Sequence, residues 1–277
     1  MLKDVTMRQL IMIIVCGFLS WQSAAQTLEL RFDGQVMQLS LAELKQALPV
    51  KLVQIDDPVY HKTKRYQAFE LTALLNTYGV VLDATKHELV TTALDGYAPP
   101  VPLSALASAK GYLAFAEEGK ADFQFESVTL GKSTTSPAPF YLVWQVDAKQ
   151  AAQLPWPFQL VKIEKVDLAQ QYAAMFPKTT STTRNAAAVQ RGFQLFRQQC
   201  VRCHSINLQG GVVGPELNAP KNVTEYWTDE HLRGLIRDAS SYRYRSKMPA
   251  FPELSPQDIE DLLQYLRQMA TQKISKP

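Results

Sequence analysis

The sequence predicts two domains, an α+β domain in the N-terminal part of the chain and an all-α domain in the C-terminal part. With 277 residues, the chain is long enough for two domains of about 100–200 residues each. The threonine-rich stretch FPKTTSTTRN (176–185) has no apolar period and the composition of a linker. Strand-like and helical runs alternate before it, and only helical runs follow it. We therefore expect domains over 26–175 and 186–277, joined by a linker over 176–185.

Residues 1–25 have the pattern of an export signal. Lys3 and Arg8 precede the apolar run LIMIIVCGFL (10–19), and the small residues SAA stand before Gln26. An apolar run this short does not cross a bilayer of about 30 Å as a helix. We expect cleavage near Gln26 and delivery to a bacterial periplasm, with no membrane span left in the mature chain; an uncleaved anchor is the alternative.

The first domain is expected to begin with a hairpin. TLELRF and VMQLS flank Asp33-Gly34, a pair that favours a two-residue turn. SLAELKQAL (40–48) contains a capping box, and FELTALLNTYG (69–79) is stopped by glycine, so both predict helices. The basic segment YHKTKRY (60–66) is expected to be a solvated loop, with oxyanion binding as the alternative. Further strands are expected at ELVTTAL (88–94), GYLAFAE (111–117), PFYLVWQV (139–146) and FQLVKIEKVDL (158–168).

Three amphipathic helices are expected in the second domain. AAAVQRGFQLFRQQC (186–200) has apolar residues at helical spacing and ends at a cysteine. TDEHLRGLIRDA (228–239) starts with a threonine cap and acidic residues. SPQDIEDLLQYLRQMA (255–270) starts with a serine cap and places proline at the first helical position.

The segment QQCVRCHSI (198–206) holds both cysteines that remain after export. A structural zinc ion needs four thiolate or imidazole ligands, and the other histidines have no paired spacing. They are His61, His87 and His231. A redox-active CxxC pair normally follows a strand at a helix N-terminus. This pair closes a helix, and the histidine behind it would have no role.

Covalent haem uses all three residues of the motif. C-x-x-C-H is the attachment signature of c-type haem, which forms in an oxidising compartment. We therefore expect one haem c, held by Cys200 and Cys203, with His204 as an axial iron ligand.

Met248 is the expected second axial ligand. It lies in the loop SKMPAF just before the last helix, where Pro249 would stiffen the backbone. His231 lies inside an expected helix, where it fits a surface position equally well. Met269 lies on the terminal helix and is expected to pack or to be exposed.

Residues from about 186 to 272 resemble a class I cytochrome c. An N-terminal helix runs into CVRCH, followed by a GP loop, middle helices, an MPAF loop and a C-terminal helix. The resemblance implies that Gly192 and Phe193 cross the last helix near Leu263, Tyr265 and Leu266.

The same resemblance implies roles for residues around the haem. The backbone carbonyl of Pro215 would accept a hydrogen bond from His204 and fix its ring. The candidates for contact with the haem propionates are Trp227, Tyr242 and Arg245.

The first domain resembles the molybdopterin-binding fold of sulfite oxidase-type enzymes. The resemblance lies in ALDGYAPPVPLSALASAKGYLAFAEEG (93–119), SPAPFYLVW (136–144) and PWPFQLVKIEKVDL (155–168). Those enzymes hold molybdenum through a cysteine thiolate, and this sequence has no cysteine between Gln26 and Gln199. We therefore expect no molybdenum.

The charge of the chain is close to balance. The formal net charge is +3, with 14 basic and 16 acidic residues over 26–183 and 13 basic and 9 acidic residues over 184–277. The basic excess of the second domain is mild and lacks the clustered stripe of nucleic-acid binders. We expect no nucleic-acid partner.

These patterns predict a periplasmic electron-transfer protein with a single haem. The haem would exchange single electrons, and the first domain would dock a redox partner protein in the periplasm or position the haem within a larger complex. Two alternatives stay open. One is a sensor, in which a small ligand binds the first domain or displaces the second axial ligand. The other is an oxidoreductase subunit that passes substrate electrons to haem.

Overall fold

The computed structural model of the protein describes residues 26–130, 133–180 and 184–275. The predicted export signal, 1–25, lies outside the described residues. Within these ranges, no helix has both the length and the apolar character needed to span a membrane.

Strands dominate the first part of the described chain and helices the second. In chain order the strands are β1 (Leu28–Phe32), β2 (Gln35–Leu39), β3 (Lys51–Asp57), β4 (Lys62–Glu70), β5 (His87–Ala93), β6 (Pro100–Val101), β7 (Lys110–Glu117), β8 (Val128–Leu130), β9 (Ser133–Thr135), β10 (Tyr141–Gln145), β11 (Leu160–Asp167), β12 (Ser205–Ile206) and β13 (Gln209–Gly210). The α-helices are α1 (Leu41–Ala47), α2 (Leu71–Thr77), α3 (Leu103–Ser108), α4 (Ala148–Ala151), α5 (Leu168–Gln171), α6 (Ala186–Leu195), α7 (Asp229–Arg237) and α8 (Pro256–Ala270).

The N-terminal part is an α+β domain built on two sheets, as its alternating pattern predicts. One sheet has the strand order β2-β1-β11-β5-β6, and the other has the order β10-β7-β4-β3. Side chains from both sheets and from the first two helices meet in one apolar core, among them Leu30, Leu44, Leu74, Leu113 and Leu142. The closer resemblance to the sulfite oxidase-type fold stays a prediction.

Local signals set the first elements of this domain. Asp33 and Gly34 take φ values of 49° and 77° and join β1 to β2, which pair from Phe32 opposite Gln35. A left-handed pair of this kind suits the twist of a hairpin. The Ser40 hydroxyl accepts a hydrogen bond from the Glu43 amide, which completes the expected capping box of α1.

The expected solvated loop at 60–66 is wrong for most of its length, because Lys62–Glu70 forms β4. Lys64 and Tyr66 face inward on alternate positions, as the period of a strand requires. The Lys64 side chain is 8% exposed and pairs with Glu117 at 2.7 Å and with Glu126 at 2.9 Å. Two carboxylates from outside the segment therefore neutralise a lysine that its own sequence suggests is solvated.

The C-terminal part is a helical domain in which α6 crosses α8. A Cβ atom on Gly192 would overlap the Asp261 carbonyl and crowd the Tyr265 Cβ, so the two backbones touch at this point. The Phe193 and Tyr265 rings lie 5.6 Å apart. The expected crossing is thus present, and Leu263 and Leu266 belong to the same core. The small ladder of β12 and β13 is an addition to the all-α expectation.

The segment before the expected linker packs on the helical domain. Tyr172 and Met175 are buried in the core of that domain, and the Tyr265 hydroxyl donates to the Met175 carbonyl at 3.0 Å. Further along, the Lys178 amide donates to the Gln272 side chain at 2.9 Å. The domain boundary at 175 stays a prediction, but the helical domain already holds the chain at Tyr172.

Candidate haem site

Cys200, Cys203 and His204 lie together in one turn at the end of the α6 segment. A π-helical turn, Phe196–Cys200, continues α6, and the amides of Cys203 and His204 then both donate to the Cys200 carbonyl, at 3.1 and 2.9 Å. The two thiols are free and half-buried. Among the residues that the structure describes, no group of three or more His, Cys, Asp or Glu side chains is arranged to hold a metal ion.

Burial makes both thiols weaker acids than an ordinary cysteine. Burial raises the pKa of Cys200 to about 12, and burial is also the main reason that the pKa of Cys203 is raised. A redox-active CxxC pair depends on a lowered thiol pKa. The environment of this pair therefore argues against catalytic disulfide exchange.

The ring of His204 has a fixed orientation and tautomer. Its Nδ1 lies 2.9 Å from the Pro215 carbonyl oxygen. A carbonyl only accepts hydrogen bonds, so Nδ1 carries the proton and Nε2 keeps its lone pair. A Cβ atom at Gly214 would overlap the imidazole, so the backbone forms a close cradle for the ring. Burial lowers the pKa of His204, which favours the neutral form that ligates metals.

A set of apolar side chains in the helical domain is only partly buried. They lie against the core of the helical domain without being enclosed by it. They are Leu195, Leu217, Trp227, Ile236 and Phe251. A covalently attached porphyrin needs two thiols, a neutral imidazole with an available Nε2 and apolar side chains to contact its ring. This domain contains all three. The residues present therefore fit the group that the motif predicts.

The loop that carries Met248 is fastened to α7. Met248 is half-buried, and its amide donates to the Ser246 hydroxyl at 3.2 Å. Beyond it, the Arg237 guanidinium donates to the Phe251 carbonyl at 3.3 Å and to two more carbonyls of the same loop. Met269, the alternative on α8, is fully buried in the core.

The structure brings together two of the three residues predicted to contact the propionates. Trp227 stacks on His231 with a centroid distance of 4.0 Å, and the Tyr242 ring meets His231 edge-on at 4.9 Å. The Arg243 guanidinium lies 5.9 Å from the Trp227 ring centre. Arg245 is exposed, has a φ of 64° and is not part of this cluster.

The C-terminal domain matches known cytochromes in sequence. The profile of cytochrome c matches residues 189–270. The cytochrome c of Theileria parva is 30% identical over 98 residues, which cover 29% of this chain and 85% of that protein. The chain belongs to the cytochrome c family. The cytochrome c domain thus implies haem c and supports a role as a haem electron carrier.

Two further relatives agree with this family. The cytochrome c of Theileria annulata has the same identity and the same coverage of both chains. Cytochrome c oxidase subunit 2 of Alkalihalophilus pseudofirmus is 29% identical over 118 residues, which cover 40% of this chain and 34% of that protein. This chain therefore spans about a third of the length of that oxidase subunit.

Three residues of the cytochrome c domain make contacts that the sequence does not predict. Gly214 is indicated only by the GP pair it forms with Pro215. His231 follows Trp227 by four positions, a spacing that brings side chains together near a helix start. Arg237 carries no such signal, because its partners are backbone carbonyls in a loop folded back from later in the chain.

Proposed function

We propose that this protein is a periplasmic one-electron carrier with a single covalently bound haem c. Cys200 and Cys203 hold the porphyrin through thioether bonds, and His204 and Met248 are the axial iron ligands. Haem bound in this way exchanges one electron at a time. The hydrogen bond between His204 Nδ1 and the Pro215 carbonyl is the observation that carries most weight. It leaves the Nε2 lone pair free, as an iron ligand requires.

The side chains around the motif hold the haem and limit its access to water. The partly buried apolar side chains would supply apolar contacts to the porphyrin, and the loop fastened by Arg237 keeps Met248 close to the domain. Trp227 and Tyr242 hold the propionates, a role supported by their shared contact with His231. Arg245 stays a weaker candidate for the same role because it is exposed.

The α+β domain docks the redox partner and works without molybdenum. This role is supported by its contacts with the haem-attachment segment, which would hold a bound partner near the haem. The expectation that this domain works without molybdenum is supported by the lack of any cysteine between Gln26 and Gln199 that could ligate the metal. The export signal predicted over 1–25 supports delivery to the periplasm.

Carbon monoxide binding tests the axial ligation. The reduced protein, purified from the periplasmic fraction with its haem covalently attached, is expected to show a six-coordinate c-type spectrum that carbon monoxide does not change. Met248→Leu is expected to bind carbon monoxide, because the thioether no longer occupies the iron. Met269→Leu is the matched control, since Met269 is fully buried in the core, and it is expected to behave like the unaltered protein.

Two results would contradict the proposal. A protein without covalent haem would remove its basis. A clear spectral shift of the unaltered protein with carbon monoxide would show an open or labile axial site. It would favour the sensor or the oxidoreductase subunit over the carrier.

A further inference from the structure

The α+β domain touches the haem-attachment segment at two places, and the first is a tight turn, residues 94–98, which directly follows β5. The turn is closed by its own backbone, since the Gly96 amide donates to the Ala93 carbonyl at 3.0 Å. The Asp95 carboxylate accepts from the Tyr97 amide at 3.0 Å. Gly96 has a φ of 86°, in the left-handed region that favours glycine. The conformation of the 94–98 turn is therefore set by hydrogen bonds within the turn itself.

This turn binds the residue that lies between the two haem-attachment cysteines. The Ala98 amide donates to the Arg202 carbonyl at 3.0 Å, and the Arg202 guanidinium lies close enough to the Tyr97 hydroxyl to interact with it electrostatically. Gly96 lies so close to Val212 that a Cβ atom on the glycine would overlap the valine side chain. Backbone, side-chain and van der Waals contacts thus all converge on the attachment loop.

A second contact lies at the other end of β5. The Glu88 carboxylate pairs with Arg197 at 3.4 Å and accepts a hydrogen bond from the Tyr172 hydroxyl. The Arg197 guanidinium lies 4.7 Å from the Tyr172 ring centre. Arg197 precedes Cys200 by three residues, whereas Arg202 follows it. The two ends of β5 therefore hold the attachment segment on both sides of Cys200.

The contacts fix positive charge beside the attachment cysteines. The Glu88 carboxylate pairs with Arg197 and offsets its charge. The Arg202 guanidinium donates to the Gln198 carbonyl and faces the Tyr97 hydroxyl, and no carboxylate among the described residues forms an ion pair with it. Oxidised haem iron carries one more positive charge than reduced iron. A fixed nearby cation and the exclusion of water both disfavour the oxidised state and raise the reduction potential.

We propose that the 94–98 turn is a positioning element for the haem, in which Tyr97 and Gly96 hold Arg202 and the Cys200–Cys203 segment and thereby raise the reduction potential. The inference rests on the proposed haem attachment. It goes beyond that attachment by giving the α+β domain a direct effect on the redox centre.

Spectroelectrochemical titration of the full-length haem protein tests this role. Gly96→Val is expected to displace the turn and to shift the reduction potential to a more negative value. Tyr97→Phe keeps the ring but removes the hydroxyl that faces Arg202, so we expect a smaller negative shift with little change in stability. Exchange of the Ala98 amide hydrogen, which does not depend on haem, is expected to be slow in the unaltered protein and faster in Gly96→Val.

Two control variants separate this role from general destabilisation. Gly119→Val places the same strained side chain at a φ of 73° in the same domain, where nothing lies near the added Cβ. Tyr244→Phe removes a hydroxyl from a fully exposed tyrosine. Both controls are expected to keep the potential of the unaltered protein.

The outcomes distinguish the two proposals. Covalent haem with an unchanged or more positive potential in Gly96→Val and Tyr97→Phe would overturn the positioning role and leave the carrier function intact. The same shift in Gly119→Val as in Gly96→Val would also overturn it. Loss of covalent haem from the unaltered protein would instead contradict the carrier function.

Discussion

In the α+β domain the buried carboxylate of Asp57 accepts four hydrogen bonds, from the Tyr66 and Tyr141 hydroxyls and from two backbone amides. In the cytochrome c domain, by contrast, Arg197 and Arg202 bury side-chain nitrogens that have no partner. Over the described ranges, every buried side-chain nitrogen or oxygen without a hydrogen bond lies in the cytochrome c domain. Such atoms are uncommon and concentrate where function outweighs stability.

The comparison assigns different tasks to the two domains. The α+β domain satisfies its buried polar groups internally, as a rigid scaffold does. The cytochrome c domain keeps cations and partly exposed apolar side chains around one histidine and two thiols. We therefore expect substitutions in the first domain, outside the 94–98 turn, to change mainly its stability. Substitutions near the motif are expected to change the haem.

The largest stability effect is expected from Asp57→Ala. The substitution leaves two tyrosine hydroxyls and two amides without their acceptor in a buried site, at a cost of about 3–5 kcal/mol. Urea unfolding followed by tryptophan fluorescence measures this loss, because Trp144 and Trp156 lie in this domain. Haem absorbance is expected to stay unchanged at urea concentrations where the variant domain first unfolds.

Asp56→Ala is the matched control for this comparison. Asp56 is exposed and accepts a hydrogen bond only from Thr63, at 2.6 Å, among the residues described. Its replacement is expected to cost less than about 0.5 kcal/mol. Equal losses in the two variants would show that burial and hydrogen bonding at Asp57 do not stabilise the domain. Simultaneous loss of haem absorbance in Asp57→Ala would break the division of tasks between the domains.

A smaller effect is expected at the helix crossing of the cytochrome c domain. In Gly192→Ala the added methyl group meets the backbone of α8, which cannot rotate away, so we expect a loss of about 2 kcal/mol. Gly234→Ala adds the same group to α7, where it meets the ring and hydroxyl of Tyr242. Tyr242 is 46% exposed and has room to move, so we expect a loss below about 1 kcal/mol. Thermal unfolding of the haem protein, followed by absorbance, compares the stabilities of the two variants. A larger loss in Gly234→Ala than in Gly192→Ala would contradict the close backbone contact inferred at Gly192.

Local chemistry explains which parts of this fold the sequence predicts. The Asp33-Gly34 turn, the Ser40 capping box and the CVRCH motif each depend on residues close together in the chain. The pairing of Lys64 with Glu117 and Glu126 joins residues that are far apart, so the inward side of β4 could not be read from YHKTKRY.

The haem site shows the same difference between local and long-range contacts. His204, Pro215 and the loop of Met248 lie in short sequence motifs, so the sequence predicts them. The contact between Tyr97 and Arg202 carries no motif, because it forms only when β5 and the attachment segment meet. Tertiary contacts of this kind decide how the two domains influence each other.

The smallest effect is expected from acid titration of the carboxylates around Lys64. Hydrogen bonds from Lys62 and Lys64 lower the pKa of Glu126 to about 2. Although burial acts in the opposite direction, hydrogen bonds from Lys120 and Lys64 also lower the pKa of Glu117. Both carboxylates have an ordinary value of 4.5. Their stabilisation is therefore complete above pH 4.5 and is lost as the pH falls toward 2.

Glu126→Gln tests this contribution. As the pH is lowered from about 5 to about 2.5, the unfolding free energy of the α+β domain is expected to decrease less steeply in the variant than in the unaltered protein. Glu118→Gln is the control, because Glu118 is an exposed carboxylate of the same region that pairs with Arg65 at 2.8 Å. Its curve is expected to run parallel to that of the unaltered protein. If the unfolding free energies of Glu126→Gln and the unaltered protein fall in parallel with pH, the ion pairs of the buried Lys64 add no acid sensitivity.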